Sequence, residues 1–258
     1  MLSKAHISRI KALHQKAFRI EAGLFIAEGE KLVEDLLNSG MEAVEIFMLE
    51  AAFRRSADRL PDGTGIFTVS IGEMERITSL STPSPVIGIF RMKKTGEFNP
   101  DCLNNEIVLA LDEIRDPGNL GTIIRTADWF GIKNIVCSPG CVELYNPKVV
   151  QSTMGSLARV DVFYPDLQSL LTNIPKSVPV IGTLLEGENI YTSKPIHHGV
   201  VIVGNEAHGI SDALKSLITH RLFIPPKCLV TGARPESLNA SVATAIVLSE
   251  IFRQQNYS

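Results

Sequence analysis

Residues 107–127 read IVLALDEIRDPGNLGTIIRTA, and the change of pattern inside them decides the fold of the larger part of the chain. Ile107–Leu111 is an unbroken apolar run, the signature of a strand buried on both faces. DPGNLG follows as a glycine-rich turn, and Thr122–Phe130 carries apolar residues at helical spacing until Gly131 stops it. Further strands are expected at Asn134–Ser138, Val178–Gly182, Val200–Gly204 and Arg221–Ile224. Helices are expected at Pro147–Leu157, Asp166–Asn173, Ser211–Ile218 and Ser237–Gln254. Strands alternating with helices predict an α/β domain on a mostly parallel sheet.

Toward the N-terminus, the polar stretch Lys93–Asn105 with Gly96 and Pro100 reads as a linker. Before it, strands are expected at Gly23–Gly29, Val44–Met48, Ile66–Ser70 and Val86–Met92. Helices are expected from Gly29 through Leu37 and over Glu73–Leu80. The chain therefore divides into a small α/β unit at 1–95, a linker at 96–105 and a second domain at 106–258.

Composition narrows the class. A chain of 258 residues with 45% hydrophobic and 21% charged residues has the make-up of a soluble globular protein. No apolar run approaches the ~18 residues that a membrane span requires. The opening MLSKAHISRIKAL lacks the apolar core of a signal peptide. Cys102, Cys137, Cys141 and Cys228 show no CxxC spacing, so a reducing cytoplasm is the expected location. A net charge of −3 excludes a globally basic nucleic-acid binder. The charge is uneven, however: residues 1–20 hold Lys4, Arg9, Lys11, Lys16 and Arg19 and no acid. On one helix at about 100° per residue, Ile7, Ile10, Leu13, Ala17 and Phe18 share an arc and the five cations share the other. That face is either a solvated surface or a ridge facing RNA phosphates.

Several chemistries lose support. GxGxxG is absent, so a dinucleotide-dependent reductase is disfavoured, and Gly63-Thr64-Gly65 leads into a strand as a turn would. His197-His198 has no helical partner, and Cys137 and Cys141 have no nearby His, so no metal is expected. Neither GxSxG nor a Walker sequence occurs.

What remains is three segments, each expected at the carboxyl end of a strand, where open α/β sheets bind ligands. They are NLGTIIRTA from Asn119 to Ala127, VGNEAHGIS from Val203 to Ser211, and IPP at Ile224–Pro226 with ESLNAS from Glu236 to Ser241. Singly they read as caps and turns. In this order they resemble the three motifs of the SpoU (TrmH-type) branch of the SPOUT RNA methyltransferases. The front segment, KALHQKAFRIEAGLFIAEGEKLVEDLL, resembles that family's ribosomal-protein-like substrate-binding module.

The resemblance implies a parallel-sheet domain closed by a C-terminal trefoil knot, a homodimer, and transfer of a methyl from S-adenosylmethionine to a ribose 2′-hydroxyl of RNA. Ribosomal RNA is the favoured substrate, with transfer RNA, or a catalytically silent RNA-binding relative, as alternatives. It assigns Arg125, Asn119, Glu206, Ser237 and Asn239 to the reacting centre. Gly204, Ile224, Leu238, Thr183, Leu184 and Asn239 are assigned to the cofactor. Lys4, Arg9, Lys11, Lys16, Arg19 and Lys148 are assigned to RNA contact. The last helix has Leu238, Val242, Ala245, Ile246, Ser249 and Phe252 at helical spacing, which suits a subunit interface as well as an internal core. One departure from the family stands out. The link from Ile224 to Glu236 is long and includes Lys227 and Arg234, which either contact RNA or simply lengthen a loop of the cofactor cleft.

Overall fold

The computed structural model describes residues 1–56, 60–226 and 237–257. It divides into two compact units, Met1–Lys94 with Glu143–Arg159, and Thr95–Val142 with Val160–Ser258.

The first unit begins with α1 (Lys4–Ala12) and α2 (Lys16–Ala22), followed by β1 (Leu24–Glu28), α3 (Glu30–Asn38), β2 (Ala43–Leu49), α4 (Glu50–Ser56), β3 (Gly65–Val69), α5 (Ile71–Ile77) and β4 (Val86–Arg91). The strands form one sheet in the order β1-β4-β2-β3, in which only β2 and β3 run parallel. Ile7, Ile10 and Leu13 of the opening segment pack with Ile26, Phe47, Met74, Ile77, Ile87 and Ile89. Local signals agree with this packing. Ser3 caps α1, and Ser70 with Glu73 forms a reciprocal capping box on α5. Glu73 also accepts the Leu2 amide, and the Ser70 and Leu2 backbone donors lower its carboxyl to about 2.

The continuous opening helix expected from periodicity is broken at Leu13–Gln15. The break resets the helical phase. Phe18, placed on the apolar arc, is 47% exposed, whereas Arg19, placed on the basic arc, is buried.

A second difference concerns α7 (Pro147–Thr153), which falls in the second domain by sequence position but clusters with the first unit in space. The segment from Glu143 to Arg159 is tied there by specific contacts. Glu143 pairs with Arg19, the Tyr145 ring lies 4.8 Å from Phe25, and the Tyr145 hydroxyl accepts the Lys93 amide at 2.9 Å. At Gly155 (φ 89°) an added Cβ would come within 2.9 Å of the Asp35 Cβ, so no other residue fits.

The second unit holds β5 (Ile107–Leu111), α6 (Pro117–Trp129), β6 (Asn134–Cys137), β7 (Asp161–Phe163), α8 (Leu167–Asn173), β8 (Val180–Leu184), β9 (Glu188–Asn189), β10 (Gly199–Val203), α9 (Asp212–Lys215), β11 (His220–Phe223) and α10 (Ala240–Asn256). Its sheet order is β7-β6-β5-β10-β8-β11-β9, and every pairing is parallel. The late strand β10 thus lies between β5 and β8, with Val203 beside Leu111 and Ile202 beside Gly182. Part of the expected linker is structured: Pro100–Asn104 is a 3₁₀ turn whose Leu103 is fully buried in this unit's core.

The DPGNLG turn proves to be the first turn of α6. Asp116 accepts the Asn119 amide at 2.8 Å as N-cap, and Pro117 occupies the first helical position, where its missing N–H costs nothing. The last helix starts at Ala240, later than the expected Ser237, because Asn239 caps it.

Candidate active site

Because the sheet is parallel, β5, β10, β8 and β11 end on one edge as neighbours. The loops after Leu111, Val203, Leu184 and Phe223 emerge side by side, in the position where such sheets form ligand clefts.

The loop after β5 is held in a demanding shape. Glu113 has a left-handed backbone (φ 55°), a conformation that costs a non-glycine residue on the order of 1 kcal/mol. Its amide donates to Ser138 Oγ at 2.9 Å, and its carbonyl accepts Asn205 Nδ2 at 2.9 Å. Next to it, the Ile114 amide donates to Cys141 Sγ, whose thiol in turn donates to the Leu111 carbonyl, both at 3.2 Å. Asp112 is buried and accepts the Ser211 amide at 2.8 Å. The Asp112–Ser211 and Asn205–Glu113 bonds join the loop after β5 to the loop after β10.

The loop after β10 closes on itself. Asn205 and Gly209 exchange backbone hydrogen bonds of 3.0 and 2.7 Å, and Asn205 Oδ1 accepts the Ala207 amide. A Cβ on Gly204 would stand 2.2 Å from the Gly209 carbonyl carbon. Glycine is required there by the loop's own return.

At the centre, Asn119 Nδ2 donates to the Glu206 carboxylate, and Asn239 Nδ2 donates to Asn119 Oδ1 at 2.8 Å. These bonds join residues 87 and 120 positions apart. The carboxylate accepts only, so it turns the Asn119 amino group toward itself and presents the Asn119 carbonyl to Asn239. Asn239 Oδ1 then accepts the Ser241 amide, the Ser241 hydroxyl and the Val242 amide, capping α10. One directed chain of hydrogen bonds therefore runs through all three motif segments.

Arg125 lies farther along α6. It is exposed and makes no hydrogen bond or ion pair among the described residues. Ser237 and Leu238 are exposed beside the Asn239 cap. Of the residues assigned to the cofactor, Leu184 is in register with Phe223, which brings Ile224 to the neighbouring strand end. The Thr183 hydroxyl donates to the Ile202 carbonyl at 2.9 Å, so it serves the sheet.

The basic residues separate into two groups. Arg19 is not a phosphate ligand: it is 2% exposed, pairs with Glu143 through Nε at 3.0 Å, and donates through Nη1 to the Leu13 carbonyl at 2.9 Å. Arg9 pairs with Glu45 and contacts His6. Lys4, Lys11 and Lys16 are exposed without an ion pair among the described residues. Lys148 is exposed at the start of α7, in the same unit as these lysines. Lys227, Arg234 and Glu236 lie outside the described residues.

Sequence reasoning missed Asp112, Glu113, Asn205, Ser138 and Cys141 as the residues that shape the loops. Asp112 carried a signal, as the first polar residue after an apolar strand. No group of three or more His, Cys, Asp or Glu suited to a metal occurs among the described residues. Among them, no helix is long and apolar enough to cross a membrane.

Comparison with known proteins identifies the family. The SpoU rRNA Methylase family matches residues 106–249, and an MRM3-like substrate binding domain matches residues 4–88. The 23S rRNA (guanosine(2553)-2'-O)-methyltransferase RlmP of Bacillus subtilis is 31% identical over 240 residues, covering 92% of each protein. A solved TrmH-family structure from Porphyromonas gingivalis is 33% identical, with a TM-score of 0.85 over 98% of this chain and 99% of that one. The AdoMet-bound rRNA methyltransferase from Sinorhizobium meliloti is 30% identical, with a TM-score of 0.82 over 100% of this chain and 97% of that one.

Proposed function

The chain belongs to the SpoU rRNA methylase family, and on that premise we propose that it is an S-adenosylmethionine-dependent methyltransferase acting on a ribose 2′-hydroxyl of large-subunit ribosomal RNA. The observation that carries this reading is the hydrogen-bonded chain Glu206–Asn119–Asn239, with Arg125, unpaired among the described residues, on the same helix as Asn119. An exposed arginine on the helix that carries Asn119 favours a catalytic role over a silent scaffold.

The residues present fit the cofactor. The ends of β10, β8 and β11 offer backbone donors and acceptors at Gly204, Leu184 and Ile224, and exposed Leu185 and Leu238 offer apolar surface to a purine. When bound there, the cofactor supplies an electrophilic methyl on sulfur. The protein's task is to place the ribose oxygen in line and to stabilise the charge that develops as it loses its proton. A guanidinium stays protonated at physiological pH and is a poor base. Arg125 therefore acts by fixing a substrate phosphate and stabilising the incipient alkoxide, with the phosphate as proton acceptor. Asn119 and Asn239 orient the ribose, Glu206 fixes the Asn119 amide, and exposed Ser237 completes the polar rim. Lys4, Lys11, Lys16 and Lys148 of the first unit hold RNA, with Arg9 supporting them through its pairing with Glu45.

The functional form is a homodimer in the cytoplasm. Support for the dimer comes from a groove of about 610 Å³ between α6 and α10, lined by Thr122, Thr126, Phe130, Val242, Ala245 and Ile246. The C-terminal trefoil knot is supported by the lodging of β10 between β5 and β8. It is also supported by side-chain bonds from Gln254 and Gln255 on α10 to the carbonyls of Ile190 and Ile196.

Calorimetry with S-adenosylmethionine, followed by radiolabelled methyl transfer to an unmodified large-subunit rRNA transcript, tests the reading. Saturable binding and label recovered at a 2′-O-methylated nucleotide are expected. No heat and no label would overturn it.

A further inference from the structure

Residues 112–125 and 204–211 carry four carboxylates and two arginines, an acidic setting for a polyanionic substrate. Three of the carboxylates are turned inward onto donors: Asp112 to the Ser211 amide, Asp116 to the Asn119 amide and Glu206 to the Asn119 side chain. The fourth, Glu113, meets Arg115 at 2.8 Å, and the two side chains are 43% and 67% exposed. Only Nη2 of Arg115 is used, so its other N–H donors have no partner among the described residues.

This pair has little structural work to do. Exposed pairs contribute little to stability, because water screens them. The left-handed backbone of Glu113 is already set by its bonds to Ser138 and Asn205. Gly140 leaves room for the Glu113 side chain, since a Cβ there would stand 3.2 Å from the Glu113 Cγ. The result is a guanidinium held by one contact at the lip of the loop that leads into Asn119.

Resting on the function proposed above, we propose that Arg115 is a phosphate-binding positioning residue for the RNA. It grips the backbone beside the nucleotide being methylated, and Glu113 parks the guanidinium until a phosphate displaces it. A planar guanidinium with free parallel donors is suited to a phosphate, which offers stronger charge-assisted bonds than a solvated carboxylate two residues away.

The test is equilibrium binding of poly(U) and of an unmodified large-subunit rRNA transcript across 50–200 mM salt, a range over which phosphate contacts are read from the salt slope. Arg115→Gln should weaken binding about tenfold and lower the slope by roughly 0.7, the value of one single-strand phosphate contact. It should raise KM for RNA while sparing kcat, cofactor affinity and Tm. Arg115→Lys should keep the slope. Glu113→Gln, which removes the competing anion, should bind RNA at least as tightly as wild type. Wild-type affinity and slope in Arg115→Gln, or a fall in its Tm or cofactor affinity, would overturn the proposal. Failure of wild type to prefer the rRNA transcript over poly(U) would count against the proposed substrate alone, because the poly(U) slopes still decide Arg115.

Discussion

The strand-end loops of the second unit and the basic opening segment of the first both presented themselves as clusters of functional residues, but they are built on opposite principles. In the loops, polar side chains are spent locally: Glu206 on Asn119, Asn119 on Asn239 and Asp112 on the Ser211 amide, and Arg125 is left without a partner among the described residues. In the opening segment, five cations that look equivalent divide into a buried strut (Arg19), a partly engaged Arg9 and three lysines without an ion pair among the described residues. An ordered set of side chains thus leaves one reactive group conspicuous, whereas a charge count hides which members hold the fold.

Substitutions sharpen this contrast, and the largest effect is expected at Arg125. Arg125→Ala should lower kcat for RNA methylation about 10³-fold, as loss of a charge-stabilising group does, while calorimetry shows unchanged cofactor affinity. A tenfold loss or less would mean that the arginine is peripheral. Arg19→Ala should instead destabilise the first unit by about 3 kcal/mol in denaturant unfolding, because it strands Glu143 and the Leu13 carbonyl without their donor. If it stayed stable and lost only RNA affinity, the two regions would be built alike after all. Asn239→Ala should cost about 1–2 kcal/mol through the lost α10 cap and also slow turnover, since it releases Asn119. The smallest effect belongs to Lys11→Gln with Lys16→Gln. Their RNA salt slope should fall by about 1.4 with Tm unchanged, and an unaltered slope would remove both from the interface.

Much of the second unit was legible because buried parallel strands announce themselves. Ile107–Leu111 and Gly199–Val203 are continuous apolar runs; the first appears at the expected residues and the second one residue before the expected Val200–Gly204. The first turn of α6 was not, since Gly118 and Gly121 disguise a helix that Asp116 and Pro117 initiate. β7 and β9 are too short, at three and two residues, for periodicity to show. In the opening segment, a three-residue break after Ala12 defeats any single helical wheel, and nothing local to Arg19 points to Glu143, 124 positions away. Asn119, Glu206 and Asn239, expected together from the motifs, are joined to one another by hydrogen bonds. Their mutual hydrogen bonds, and the inward role of Asp112, depend on strand order, which places β10 beside β5. The motif order carried the identities but not the wiring.

The most direct test of the account maps ribose methylation across total RNA from a deletion strain complemented with wild type or with Arg125→Ala. One large-subunit rRNA 2′-O-methyl should vanish in the deletion, return with wild type and stay absent with Arg125→Ala. An unchanged map, or full restoration by Arg125→Ala, would contradict the claim that these three loops and this arginine form a ribose methylation centre.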